Sequence, residues 1–338
     1  MPEALKAFAP LLLDWQRRAG RHELPWSGSR DPYRVWLSEI MLQQTQVATV
    51  RAYYRRFLER FGSVEALAAA SLDEVLALWA GLGYYSRARN LHACAQAVVQ
   101  RGGWPCSSAE LEALPGIGRS TACAIAAFCF GERRSILDGN VRRVLARLLA
   151  FEEDLASSAA QRRLWSLADA LVPEQGGDMP AYTQGLMDLG ALVCTPRQPR
   201  CEACPVQPLC AAQAQGRVAE LPRASRKLKR SRRENWWLWW QRADGALWLQ
   251  QRPPRGVWAG LWTLPLYNSE AELQQAGQGA AMEPLPRIEH ALTHLDWVLH
   301  PRRAAWQGAP LPEGRWVVAE ELVQYGLPAP LKKLLDLA

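Results

Sequence analysis

The sequence predicts two domains of different class: an all-α domain over 1–216 and a smaller α+β domain over 235–338, joined by a basic linker at 217–234. Three observations predict it. Apolar residues recur at helical spacing between 5 and 171, with Gly, Pro or polar breaks between the runs. After Cys210 the chain turns polar and basic, and RASRKLKRSRR (223–233) is its densest basic run. Beyond 235 the runs become short and aromatic-rich, separated by turn residues, as strands are. The length, 338 residues, also exceeds what one hydrophobic core usually takes.

In chain order, helices are expected at 5–18, 35–61, 71–82, 88–100, 109–114, 120–130, 141–149 and 161–171. Asp31-Pro32 and Ser71 mark helix starts, because a short side-chain oxygen satisfies a free N–H of the first turn and proline fits that turn. In the second domain, 235–241 and 245–253 read as strands joined by a turn at Asp244-Gly245. Further strands are expected at 262–267, 294–300 and 315–318, with small helices at 320–325 and 330–337. The chain has 16 Trp; Trp236, Trp237, Trp239 and Trp240 are expected in the core.

Composition sets bounds on function. An apolar fraction of 49% with 22% charged residues is ordinary for a folded protein. No apolar run is long enough for a membrane span, and the start, MPEALKAFAPLLLDW, has early charge and no signal-peptide cleavage site. A cytosolic or nucleoid-associated monomer without a membrane partner is expected. The formal net charge of +7 favours a polyanion, since each neutralised phosphate releases counterions.

Of the 8 cysteines, Cys194, Cys201, Cys204 and Cys210 fall together as C-x6-C-x2-C-x5-C, while Cys94, Cys106, Cys123 and Cys129 are scattered. In a reducing compartment such clustering points to a metal and not to disulfides. Zinc and a 4Fe–4S cluster both accept four thiolates, and spacing alone does not separate them. The loop itself, CTPRQPRCEACPVQPLC, is basic enough to touch phosphate as well.

Between two helical runs lies LPGIGRST (114–121). Gly116 and Gly118 permit positive φ and a close backbone approach, and the loop opens onto a helix N-terminus, where free N–H groups favour an anion. This is the signature of a helical hairpin that holds a DNA phosphate. Two carboxylates frame it in sequence. Glu39 lies among Ile40, Met41, Leu42 and Val47, so its pKa should rise and it can hold a proton. Asp138, in ILDGNVRRVLAR, sits in a polar loop and should stay ionised. Cleaving a glycosidic bond needs this division: an acid for the leaving group and an anion for the sugar cation.

Together SEIMLQQTQVATV, GLGYYSRARNL, LPGIGRSTA, ILDGNVRRVLAR and the four-cysteine loop closely resemble the MutY family of adenine glycosylases, in the endonuclease III helix-hairpin-helix superfamily. The resemblance implies a 4Fe–4S cluster on the four cysteines. It implies that Glu39 protonates adenine, that Asp138 stabilises the sugar cation and that Asn140 helps orient the site. Gln43, Thr45 and Tyr84 would lie at the DNA, with Gly116, Gly118 and Ser120 at the phosphate hairpin. The adenine would be flipped out of the duplex to be reached. Endonuclease III-like members carry a Lys where this chain has Ser120; a hydroxyl cannot form a Schiff base, so a glycosylase that leaves the strand uncut is expected.

QRPPRGVWAGLWTLP and HALTHLDW resemble the Nudix-like C-terminal domain of the same family, which reads 8-oxoguanine opposite adenine. Thr293 and His294 match its lesion-contacting pair. Leu292 stands where an aromatic residue is usual. The implied substrate is double-stranded DNA with an A:8-oxoguanine or A:G mispair. Two other readings stand against it. An endonuclease III-like pyrimidine-lesion glycosylase/lyase is disfavoured by Ser120 and the extra domain. A catalytically inactive damage-binding iron–sulfur protein is disfavoured by the presence of both carboxylates.

Overall fold

A computed structural model describes residues 3–225, 230–308 and 310–336. Residues 226–229 of the basic run, and the last residue of the helix expected at 330–337, lie outside the described residues. By its contacts the chain divides into two units, Met1–Glu65 with Ala93–Arg226, and Ala66–His92 with Lys227–Ala338.

The helices of the N-terminal two-thirds are α1 (Phe8–Ala19), α2 (Pro32–Leu42), α3 (Val47–Arg60), α4 (Val64–Ala69), α5 (Leu72–Trp79), α6 (Ser86–Gln100), α7 (Ser108–Glu112), α8 (Arg119–Ile125), α9 (Gly139–Leu148), α10 (Ser158–Asp169), α11 (Met179–Asp188) and α12 (Ala211–Ala214). The two expected helix starts are real caps. Asp31 accepts from the Tyr33 N–H at 2.9 Å ahead of Pro32, and Ser71 and Glu74 form a reciprocal capping box. The helix expected over 35–61 is instead two, α2 and α3, broken at Gln43–Gln46 where Gln44 takes φ 57°. No Gly or Pro marks that break, so periodicity ran straight through it. Both α8 and α11 end in a π-helical turn, Ala126–Phe130 and Leu189–Val193.

The first unit is organised around α9. Val141, Val144, Leu145 and Leu148 form its apolar stripe and pack into one core with Phe8 and Leu12 of α1, Leu164 of α10 and Tyr182 and Leu186 of α11. The stretch expected as linker does not hang free. Leu221 is buried, its carbonyl accepts from Arg147, the Leu155 N–H donates to the Arg223 carbonyl, and Ser225 bonds to Asp154.

The second unit is a mixed sheet: β1 (Ser231–Gln241), β2 (Leu247–Gln251), β3 (Trp262–Thr263), β4 (Leu266–Tyr267), β5 (Glu283–Pro284), β6 (Ile288–Ala291), β7 (Leu295–Ala305) and β8 (Arg315–Val317). Helices α13 (Glu270–Ala276) and α14 (Ala329–Leu335) complete it. The main path runs β3-β2-β1-β7-β5. The β1–β2 hairpin turns at Asp244-Gly245 as expected, with Gly245 at φ 84°. The long parallel pairing of β1 with β7, from Ser231↔Leu295 to Gln241↔Ala305, is not announced by the sequence. It explains why Trp237, Leu238, Trp239 and Trp240 are buried in succession: this central strand is covered on both faces. Leu238 and Trp240 meet Leu273 of α13. Residues Ser231–Glu234, expected as linker, are the start of β1.

The segment 66–92, helical in sequence, belongs with this sheet by its contacts. Arg89 donates to the Ala259 carbonyl at 2.6 Å, the Trp262 indole to Asp73 at 3.2 Å and the Tyr85 hydroxyl to the Leu327 carbonyl at 3.3 Å. Among the described residues no helix is long and apolar enough to cross a membrane.

Candidate active site

Within the first unit, α2, the start of α9 and α11 surround a cleft of about 450 Å³ that contains both predicted carboxylates, Glu39 and Asp138, and also Asn140. That size suits a small organic group such as one base. The helix α2 buries Val35, Trp36, Leu37, Ile40 and Met41, which leaves Glu39 half-buried on the cleft side. No donor among the described residues reaches its carboxyl. Burial first, and repulsion from Asp138 second, push the Glu39 pKa up to about 8. A carboxyl in this state carries a proton at neutral pH.

Asp138 is the N-cap of α9. Its Oδ1 accepts from the Val141 N–H at 2.7 Å, and the Asn140 N–H also supports it. The capping role and the position in the cleft are therefore one geometry. Burial raises its pKa above the ordinary aspartate value, contrary to the expectation of a plainly polar loop. The two backbone N–H groups, Arg143 and Arg142 oppose that rise. Glu39 has no such support, so the two carboxyls remain chemically distinct.

Arg143 ties the floor of the site together. Its Nη2 donates to Asn140 Oδ1 at 2.8 Å and to the Gly190 carbonyl at 2.7 Å, and its Nε donates to the Cys194 carbonyl at 2.7 Å. Ser120 accepts from the Leu137 N–H at 3.1 Å through its hydroxyl, which fixes the residue before Asp138. In the hairpin Gly116 takes φ 74° as the turn requires. Gly118 does not: it is extended at φ −88° and caps α8, with open space where a side chain would stand. Its value there is access, not conformation. Gln43 donates to Thr121 at 3.3 Å, and the Thr45 hydroxyl donates to the Gln43 carbonyl at 3.4 Å. Thr45 also lines the cleft.

Sequence reasoning missed other cleft residues. Arg21 pairs with the fully buried Asp188 at 2.6 Å, and Gln184 Nε2 donates to the same carboxylate at 2.8 Å, which turns its amide oxygen elsewhere. Asp188 is a buried acid on α11 at i+4 from Gln184, which is a signal only once the helix is known.

In the second unit Thr293 and His294 form the exposed tip of the β6–β7 hairpin. The Ser231 N–H donates to the His294 carbonyl at 3.0 Å and holds the tip. Tyr84, at φ 48° and 45% exposed, belongs to the same unit, and its hydroxyl lies 2.7 Å from the Thr293 hydroxyl. The structure thus brings two of the sequence-predicted contact residues together. Under the tip, Trp258 stacks on Trp297 at 4.3 Å, and the Trp297 indole donates to the buried Asn235 at 2.8 Å.

The four clustered cysteines line one small cavity together with Arg147 and Arg200. Burial, and to a lesser degree the neighbouring thiols, push Cys204 up to about 11. Arg147 donates to Cys194 Sγ at 3.3 Å and to the Thr195 carbonyl at 2.8 Å. Four cysteine thiols around one space, with the Arg147 cation at their edge, fit a guest that takes thiolates as ligands. Among the described residues no set of three His, Cys, Asp or Glu side chains stands as a ready site for a single ion. Cys123 is a buried packing residue, its thiol pushed up to about 11.

Comparison with known proteins bears on the family and the fold. Residues 37–170 match the HhH-GPD superfamily of base excision DNA repair proteins, and residues 236–337 match the NUDIX domain. An adenine DNA glycosylase of Buchnera aphidicola is 34% identical over 87% of this chain and 85% of its own length. The adenine DNA glycosylase of Rattus norvegicus is 36% identical over 97% of this chain and 77% of its own length. The solved structure of a thermostable thymine-DNA glycosylase superposes with a TM-score of 0.56 at 28% identity, covering 63% of this chain and 98% of that one.

Proposed function

The chain belongs to the adenine DNA glycosylase family, and from that premise we propose that it excises adenine from A:8-oxoguanine and A:G mispairs in duplex DNA, with water as nucleophile and the strand left uncut. One observation carries the proposal: two carboxyls share a base-sized cleft, one without a donor and holding a proton up to about pH 8, the other braced by backbone N–H groups. The adenine is flipped into the cleft. Glu39 gives its proton to N7 as the bond from N9 to C1′ breaks, so the base leaves neutral. The Asp138 carboxylate faces the sugar cation that develops, and Asn140, held by Arg143, keeps that end of α9 in place. Water adds to C1′ and its proton passes to a carboxylate. Arg21 and the Gln184 amide oxygen supply polar partners for the base edge.

Cys194, Cys201, Cys204 and Cys210 hold a 4Fe–4S cluster in this reading, supported by their spacing, their shared cavity and the family. Bound, the cluster supplies four iron–thiolate bonds that cross-link the loop; the hydrolysis itself is carried out by the chain's own residues. Gly116, Gly118 and the N–H groups at the start of α8 take a phosphate. Gln43, Thr45 and Tyr84 meet the duplex. Thr293 and His294 read the base opposite the adenine, and the hydroxyl contact between Thr293 and Tyr84 supports their acting as one reader. A monomer working on nucleoid DNA fits this set of parts.

Duplexes carrying adenine opposite 8-oxoguanine, guanine or thymine test the proposal. Adenine is expected to leave the first two, fastest from the first, without strand cleavage. No release from either sinks it. An efficient borohydride-trapped adduct through residue 120 would show a lyase instead. His294→Ala should narrow the preference for 8-oxoguanine over guanine by roughly tenfold, the worth of about one hydrogen bond, with little change on A:G itself. An equal loss on both duplexes would remove His294 from lesion reading.

A further inference from the structure

We propose that Gly190 is a positioning residue for the catalytic end of α9: by lacking a side chain it sets how deeply Asn140, and with it Asp138, is seated in the cleft. A Cβ placed on Gly190 would stand 2.7 Å from Asn140 Cβ and 3.2 Å from both the carbonyl carbon and oxygen of Asn140. These are the first atoms of a helix, not the tip of a flexible side chain, so the neighbour cannot swing aside. The requirement is for space; Gly190 is not among the residues at positive φ.

The contact is locked on both sides. Gly190 is buried in the π-helical turn Leu189–Val193, where one extra residue per turn carries the backbone in against α9. Its carbonyl accepts from Arg143 at 2.7 Å, and that same nitrogen donates to Asn140 at 2.8 Å. At the end of the turn the Cys194 N–H donates to the Leu189 carbonyl at 2.7 Å, and the Cys194 carbonyl accepts from Arg143. Neither element can slide without breaking these bonds. Asp138 is coupled to Asn140 because it accepts from the backbone N–H groups of Asn140 and Val141. An outward shift of Asn140 therefore carries Asp138 with it, away from the sugar.

The inference rests on the roles given to Asp138 and Asn140 above. Gly190→Ala should slow single-turnover adenine release by about tenfold to hundredfold, the cost of misplacing a catalytic group by a fraction of an ångström to one ångström. Duplex affinity and iron content should stay at wild-type values. In an Asn140→Gly background, where the 2.7 Å contact is gone and only the 3.2 Å contacts to the Asn140 carbonyl remain, the same substitution should cost severalfold less. Wild-type rates in G190A would overturn the proposal, as would an equal cost in both backgrounds or a joint loss of rate, affinity and iron. If G190A does not fold, the N140G/G190A pair decides: recovery of folding supports the contact, and failure of both contradicts it. An active Asp138→Asn would strike the underlying reading and not this contact.

Discussion

Glu39→Gln should lower single-turnover adenine release by about 10²–10⁴-fold while duplex binding is retained. The amide has nearly the same shape but no proton to give. The effect is large because Glu39 is the cleft carboxyl that no donor supports and whose pKa is pushed up to about 8, whereas the Asn140 and Val141 backbone N–H groups oppose the rise that burial causes at Asp138. The same substitution should stabilise the protein at and above neutral pH. Glu39 has a folded-state pKa of about 8 against a usual value of 4.5, so between those values the folded state holds a proton that the unfolded state has released. Stability contributed by this group is present below about pH 4.5 and falls as pH rises through the folded value, by on the order of 1 kcal/mol per pH unit. Melting curves of wild type and E39Q should coincide near pH 4.5 and separate towards pH 8. Curves that stay parallel would mean that Glu39 is not desolvated in the free protein.

Asp138→Asn should cost about 10²–10³-fold in the same assay, the range for removing one electrostatic partner of a transition-state charge. It also carries a second signature. Repulsion from Asp138 is the second cause of the raised Glu39 pKa, so its removal should move the loss of activity at high pH to a lower pH. Because Asn keeps an acceptor oxygen, the α9 cap with Val141 should survive, and thermal stability should change little. A rate loss with an unmoved pH limb would separate Asp138 from Glu39.

The parts of the site that were legible in sequence are those that chemistry confines to short motifs. Glu39 was exposed by its apolar neighbours, the cysteines by their spacing, and Gly116 by a turn that needs φ 74°. Asp138 was legible as an acid, and the structure shows that the same carboxyl also caps α9. What stayed hidden depends on contacts between distant segments. The break at Gln43–Gln46, where Gln44 takes φ 57°, carries no Gly or Pro to announce it. Arg21 and Gln184 both line the cleft and both donate to Asp188 of α11, a convergence of segments far apart in sequence. The union of 66–92 with the sheet, and the parallel pairing of β1 with β7, join residues far apart in sequence, which periodicity cannot see. Helix α13 had a readable start, Ser269 accepting from the Glu272 N–H at 3.1 Å, but is only seven residues long. Gly118 shows the opposite error: a glycine credited with unusual backbone freedom turns out to be extended.

The most direct test of the two-carboxylate account is the pH dependence of the second-order rate of adenine release from an A:8-oxoguanine duplex, which reports the free enzyme's essential acid. The account expects a rate that is level towards neutral pH and falls about tenfold per pH unit above about 8, with no such fall in E39Q. A rate that rises through that window, or a wild-type profile reproduced by E39Q, would contradict it.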